Sequence, residues 1–216
     1  MTFDLCRLLT RTSPLANLSA PTVALVTGPD ERILDFVLDH RTPWLDTMMR
    51  AATSLGSFTV LTTVCVAFAV VWRRRVGDWT AALVLAVVSL LAWSSCNSLK
   101  LVIGRARPEL ADRLVRAGGY SFPSGHATQS AAIWGTLALL VASQLPRHRR
   151  AVWATGTAVA VAVGASRIYL GVHWFTDVIA GWTLGATFVG VTAVALAQRR
   201  ANGKPKVKFG EITLKH

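Results

Sequence analysis

Residues 151–197 read AVWATGTAVAVAVGA, then SRIYLGVHWFTD (Ser166–Asp177), then VIAGWTLGATFVGVTAVALA. The outer runs, 15 and 20 residues long, contain no Asp, Glu, Lys or Arg. At 1.5 Å per residue a 20-residue helix covers the roughly 30 Å of a hydrocarbon core, so both runs predict membrane-crossing helices. The shorter run, at about 22 Å, must borrow length from SRIYLGV. An ionised side chain at a lipid-exposed helix centre costs about 2.5–3.5 kcal/mol, so Arg167, His173 and Asp177 are expected at the membrane surface. Tyr169, Trp174 and Phe175 beside them suit the aromatic belt at that depth.

The rest of the chain has the same character. Its 216 residues are 52% hydrophobic and only 16% charged, with a mean hydropathy of +0.44, which excludes an ordinary soluble domain. Apolar runs at Thr53–Trp72, Trp79–Leu99, Ala127–Leu145, Ala151–Ala165 and Val178–Ala197 predict five spans. Leu15–Gly28, interrupted by Asn17, Ser19 and Pro21, is a short candidate for a sixth. No arginine-led apolar run with a small-residue cleavage site precedes it, so no cleaved leader is expected. Ile33–Ser54 mixes Phe36, Trp44 and Met48 with Asp35, Asp39, Arg41 and Arg50, the pattern of an amphipathic helix at the membrane surface. The fold expected is an all-α polytopic transmembrane helix bundle of five clear spans, with room for a sixth, and an interfacial helix near the N-terminus. It divides into an N-terminal segment (1–52), a transmembrane domain (53–197) and a basic cytoplasmic tail (198–216).

Charge sets the orientation. The net charge of +12 does not indicate nucleic acid, because the basic residues fall in short clusters between spans rather than on one face with aromatic platforms. RRR at 73–75, PRHRR at 146–150 and the QRRANGKPKVK tail from 198 occupy alternate gaps. By the positive-inside rule that face is cytoplasmic, which places the chain in the cell membrane as a multi-pass protein. Cys65 and Cys96 lie in apolar runs and Cys6 near the N-terminus, without metal-ligand spacing.

Alternation then assigns Lys100–His126 and Ser166–Asp177 to the opposite, non-cytoplasmic face. Lys100, Arg107 and Arg167 are cations suited to an anion, and arginine grips phosphate through two parallel hydrogen bonds. Pro123-Ser124-Gly125-His126 adds a capping serine, a glycine that lets backbone approach a ligand, and the free N–H groups of a helix start. Taken alone PSGH is an ordinary capped turn; beside three cations it predicts a phosphate cradle. His173 and Asp177, four apart, are expected stacked on one helical face, the carboxylate fixing the imidazole so that its other nitrogen can attack phosphorus. His126 is then placed to protonate the departing oxygen. The gaps hold only Glu109, Asp112 and Asp177 as carboxylates, too few for a two-metal site, so no metal and no cofactor are expected.

Lys100-x6-Arg107-Pro108, Pro123-Ser124-Gly125-His126 and Ser166-Arg167-x5-His173-x3-Asp177 together resemble the three signature blocks of the type 2 phosphatidic acid phosphatase superfamily of membrane lipid phosphatases, in order and without substitution. The resemblance implies a phosphohistidine on His173, orientation by Asp177, general acid catalysis by His126, and phosphate contacts from Lys100, Arg107, Ser124, Gly125 and Arg167. It also implies a metal-independent enzyme acting on a lipid phosphate or diphosphate. Polyprenyl diphosphate is favoured over phosphatidylglycerol phosphate, phosphatidic acid and polyprenyl-linked sugar phosphate, because the chain is compact like the small bacterial members. The family's first transmembrane helix is short or missing here. Tyr120 and Phe122 are expected to line the entry from lipid. A non-catalytic lipid-binding protein would not need both histidines and Asp177, a transporter would carry polar groups near the midplane, and the superfamily's vanadate-dependent haloperoxidases are soluble.

Overall fold

A computed structural model describes residues 20–202 of the chain. Among them are seven α-helices and no strand: α1 (Ala20–Asp39), α2 (Pro43–Ser54), α3 (Phe58–Val76), α4 (Thr80–Ile103), α5 (Gly125–Gln144), α6 (Arg149–Tyr169) and α7 (Phe175–Ala201). The all-helical bundle is as expected. By length and composition α4, α6 with its preceding turn, and α7 are apolar enough to cross a membrane among the described residues, and α2 with α3, bent by 49°, makes a fourth candidate. α5, counted as a span from its sequence, has the length but carries Thr128, Ser130 and Thr136 buried inside the protein and a half-buried Gln129. It is the central helix, packed against α4, α6 and α7.

Boundaries differ from the sequence reading where local chemistry interrupts a hydrophobic pattern. Ile33–Ser54 is not one helix: Thr42, held extended at φ −140° and ψ 148° ahead of Pro43, separates α1 from α2. A residue before proline is disfavoured in the helical region, while proline at the first helical position is well tolerated. Thr53 and Ser54 belong to α2 rather than to the following span, which starts at Phe58 because Ser57 caps it by accepting from the Val60 N–H. α6 gains the expected length from Arg149–Arg150 and Ser166–Tyr169. α7 runs on to Ala201, past the boundary drawn at 197. Of the Leu15–Gly28 candidate, residues 15–19 lie outside the described residues, as does the tail from 203, and the remainder opens α1.

Two of the four apolar clusters among the described residues draw in the most side chains. One joins Leu61 and Trp72 of α3, Ala81 and Leu85 of α4, and Ile133, Leu137 and Leu140 of α5. The other packs Val37, Leu45 and Met49 from α1 and α2 against Tyr169, Leu170 and Val172, where α6 turns into α7. Outward-facing Val66, Leu83, Leu90, Val191 and Val194 stay exposed on the bundle surface, as lipid contact requires.

α5 and α7 approach closely through Gly181 and Gly185, a small-residue pair four apart. A Cβ on Gly185 would sit 2.6 Å from the Thr128 carbonyl oxygen, a backbone atom that cannot swing aside. Gly185→Val is therefore expected to destabilise the detergent-solubilised protein by about 1–3 kcal/mol, the range for overpacking. Gly190→Val on the same helix, with nothing within 4 Å of its Cβ position, is expected to leave the thermal midpoint unchanged.

Candidate active site

The end of α4, the start of α5 and the α6–α7 turn meet at one end of the bundle. Lys100, in the last turn of α4, donates from Nζ to the carbonyls of Tyr120 (2.8 Å) and Ser121 (3.1 Å). Arg107 donates to Gly119 (3.0 Å) and Gly118 (3.0 Å) on one side and to Val172 (2.7 Å) on the other. Lys100 thus ties the 120–121 stretch to the end of α4, and Arg107 straps the 118–119 stretch to the α6–α7 turn. Ser124 caps α5 through its Oγ, which accepts from the Ala127 N–H (3.5 Å), and its own N–H donates to the Asp177 carbonyl (2.9 Å). Gly125 and His126 thus open α5 beside α7.

His173 is not on a helix. It lies in the turn before α7, where Gly171 adopts φ +70° and a Cβ would meet the Asp112 carbonyl oxygen at 2.3 Å. Glycine is required there for both reasons. Asp177 nevertheless faces His173, because it stands in the first turn of α7 and accepts from the Trp174 N–H (3.0 Å), the reciprocal half of a capping box. Its Oδ2 lies 3.3 Å from His173 Nδ1.

The tautomer of His173 follows from donor chemistry. Arg107 Nη1 lies 2.9 Å from His173 Nε2, and a guanidinium can only donate, so Nε2 presents its lone pair and Nδ1 carries the proton that faces Asp177. Burial, with the charges of Arg107 and Arg167 adding to it against the pull of Asp177, lowers the His173 pKa to about 3. The ring is therefore neutral across the physiological range, with one nitrogen oriented by a carboxylate and the other open to an electrophile.

Arg167 is 6% exposed and donates from Nη1 to Thr53 Oγ1 (2.7 Å), while its buried Nε has no hydrogen-bond partner among the described residues. Such an orphan is rare and calls for an acceptor. The charges of Arg167, Arg107 and Lys100 all bear on His126. Lys100, Arg107, Ser124, Gly125, His126, Arg167, His173 and Asp177 therefore form one cluster, rich in cationic donors and in backbone N–H groups of the α5 start. An anion is what such a cluster can hold.

Several members were not picked out from the sequence. Ser121 Oγ donates to Asp177 Oδ2, and Arg105 Nη1 donates to Asp177 Oδ1 (2.8 Å). Asp30 of α1 accepts from Arg105 (2.6 Å) and from the Thr176 N–H (2.9 Å). Thr53, on α2, carries Arg167. Arg105 was visible only as one more cation in a polar gap; Asp30 and Thr53 are far from the motifs in sequence, and no local pattern marks them.

A groove of about 730 Å³ leads from this cluster between α3 and α4. Lys100, Gly125 and His126 line one end; Leu61, Cys65, Ala69, Ala82, Leu85 and Trp93 line the rest. From Ala82 to Lys100 is about 27 Å of helix, close to a hydrocarbon core in depth. Tyr120, expected at the entry, is 45% exposed, but neither it nor Phe122 lines this groove; Phe58 and Trp93 do.

Residues 79–201 match the family model described as the PAP2 superfamily. The chain is 35% identical over 165 residues to phosphatidylglycerophosphatase B of Bacillus subtilis (strain 168), covering 74% of this chain and 79% of that one. It is 48% identical over 67 residues to an undecaprenyl-diphosphatase of Sulfolobus acidocaldarius, covering 31% of this chain and 29% of the relative. Among solved structures, a transmembrane PAP2-type phosphatidylglycerolphosphate phosphatase from Bacillus subtilis superposes with a TM-score of 0.76 at 29% identity, covering 87% of this chain and 91% of its own.

The buried neutral imidazole has a consequence for stability. Because the folded pKa of about 3 lies below the unfolded value near 6.5, the unfolded chain takes up a proton that the folded chain refuses as pH falls through that window. Stability present above pH 6.5 is lost at up to about 1.4 kcal/mol per pH unit, or roughly 2 kcal/mol by pH 5. Thermal unfolding in detergent between pH 7 and pH 4.5 is expected to show a shallower acid-induced fall for His173→Gln than for the unmodified protein.

Proposed function

Because the chain belongs to the PAP2 superfamily, we propose that this multi-pass membrane phosphatase removes the terminal phosphate from a lipid phosphate or diphosphate through a phosphohistidine on His173. The observation that carries the reading is the His173 environment: Asp177 on Nδ1 and a lone pair on Nε2 that faces the Arg107 guanidinium. Arg107 donates to that lone pair, and a phosphoryl group would offer Arg107 better acceptors.

Lys100, Arg107 and Arg167, with Ser124 and the Gly125 backbone, take the phosphate oxygens. The Arg167 Nε that lacks a partner supports this assignment. Nε2 of His173 attacks phosphorus as the bond to the lipid oxygen breaks, and His126 gives that oxygen its proton. The positive charge that develops on the His173 ring is held against Asp177. Water then attacks the phosphohistidine, His126 takes back a proton, and inorganic phosphate leaves. Fixed cations neutralise the transferring group throughout, so the reaction is proposed to need no metal.

A groove with apolar walls opening beside the α5 start supports a substrate whose tail stays among the helices while its phosphate reaches the site. Arg73–Arg75, Arg147–Arg150 and Arg199 lie at the helix ends opposite the site, which supports a non-cytoplasmic active face in the cell membrane. Polyprenyl diphosphate is the favoured substrate, in keeping with the Sulfolobus relative named undecaprenyl-diphosphatase. The likeness to phosphatidylglycerophosphatase B keeps phosphatidylglycerol phosphate beside it.

Phosphate release from polyprenyl diphosphate, phosphatidylglycerol phosphate, phosphatidic acid and a polyprenyl-linked sugar phosphate tests the assignment, with polyprenyl diphosphate expected fastest. His173→Ala should abolish release and an acid-labile, alkali-stable phosphoprotein. His126→Ala should slow turnover by about 10²–10⁴, with a defect that shrinks for good leaving groups. Undiminished turnover by His173→Ala would refute the mechanism. Chelation should leave activity intact and orthovanadate should inhibit it; activity lost to chelator and restored by magnesium would point to a metal site instead.

A further inference from the structure

Asp177 is held by more than the histidine it faces. Arg105 lies 11% exposed between two carboxylates that are wholly buried, with Nη2 at 2.6 Å from Asp30 Oδ2 and Nη1 at 2.8 Å from Asp177 Oδ1. Nη1 also donates to Thr176 Oγ1 (2.7 Å), and the guanidinium lies 5.5 Å from the centroid of the Trp174 ring. Asp30 is itself pinned to α7: it accepts from the Thr176 N–H (2.9 Å) and from Thr176 Oγ1 (2.5 Å). A carboxylate from α1 thus supplies the missing acceptor for a free N–H at the start of α7 and a counter-charge for Arg105.

We propose that Arg105, anchored by Asp30, is a positioning residue that fixes the Asp177 carboxylate so that Oδ2 meets His173, and that α1 thereby sets the geometry of the reacting histidine. The division of the carboxylate supports this. Oδ1 goes to Arg105, while Oδ2 receives Ser121, the Trp174 N–H and His173. With Oδ1 tied, the carboxylate cannot rotate away from the imidazole. Lys100, Arg107 and Arg167 face the proposed phosphate side of the cluster, whereas the Arg105 guanidinium is engaged by protein carboxylates, by Thr176 and by the Trp174 ring. A lysine at 105 has one ammonium and reaches either carboxylate but lacks the fork that spans both.

The inference rests on the phosphohistidine reading, and a mutant cycle separates the two. Steady-state phosphate release from the four lipid phosphates above is measured for the full chain in detergent, with size-exclusion profile and thermal midpoint as fold controls. Arg105→Lys is expected to lower kcat by about 10²-fold with KM within about twofold, because geometry changes while phosphate contacts remain. Asp30→Asn, which keeps the shape and the Thr176 contact, is expected to lower kcat about tenfold. In an Asp177→Asn background each change is expected to cost less than about twofold, since a residue acting through Asp177 has nothing left to position. Equal losses in both backgrounds, a raised KM at constant kcat, or a wild-type kcat in Asp30→Asn overturns the proposal while leaving the phosphohistidine reading intact. Wild-type turnover by His173→Ala overturns that reading and the proposal with it.

Discussion

The Asp177 carboxylate is fully buried, and a buried charge is tolerated only when it is paired and its lone pairs are satisfied. Satisfying it draws together distant parts of the chain: Arg105 from the loop after α4, Ser121 from the loop before α5, the Trp174 N–H and His173 from the α6–α7 turn. The backbone of the same residue accepts from Ser124, the cap of α5. The geometry at one end of the bundle is thus a solution to one desolvation problem.

Helix ends carry the rest of the site, and the reason is electrostatic. Lipid penalises ionised groups at depth, so Lys100 and Arg167 sit in the last turns of α4 and α6, where cations also oppose the helix dipole. The start of α5 contributes donors of the opposite polarity. An anion placed at this point would meet cations from two helix C-termini and N–H groups from one N-terminus, an arrangement that a single helix could not provide. The neutral state of His173 belongs to the same balance: burial, aided by the Arg107 and Arg167 charges, outweighs Asp177, so the ring keeps a lone pair despite its carboxylate neighbour.

Depth is supplied separately. The groove between α3 and α4 has Lys100 and His126 at one end and apolar side chains along its length. On the proposed function, different elements would serve a head group and a tail, the polar loops for one and the α3–α4 walls for the other.

The sequence by itself determined the helical membrane architecture, because runs without charge on the scale of a bilayer admit little else. It also marked the residue types of the candidate site, since the ionisable Lys100, Arg107, Arg167, His173 and Asp177 are costly in lipid unless they cluster. Helix junctions were less legible. The break at Thr42–Pro43 carries a local signal that a long amphipathic pattern masked, and His173 stands outside α7 because the Gly171 turn overrides i,i+4 spacing. Only the tertiary structure decided which groups support the motifs: Asp30, Arg105, Thr53 and Ser121 meet the site across up to 146 residues of chain. Their signal is satisfaction of buried hydrogen-bonding groups, which depends on where helices dock in space and leaves no periodicity along the chain.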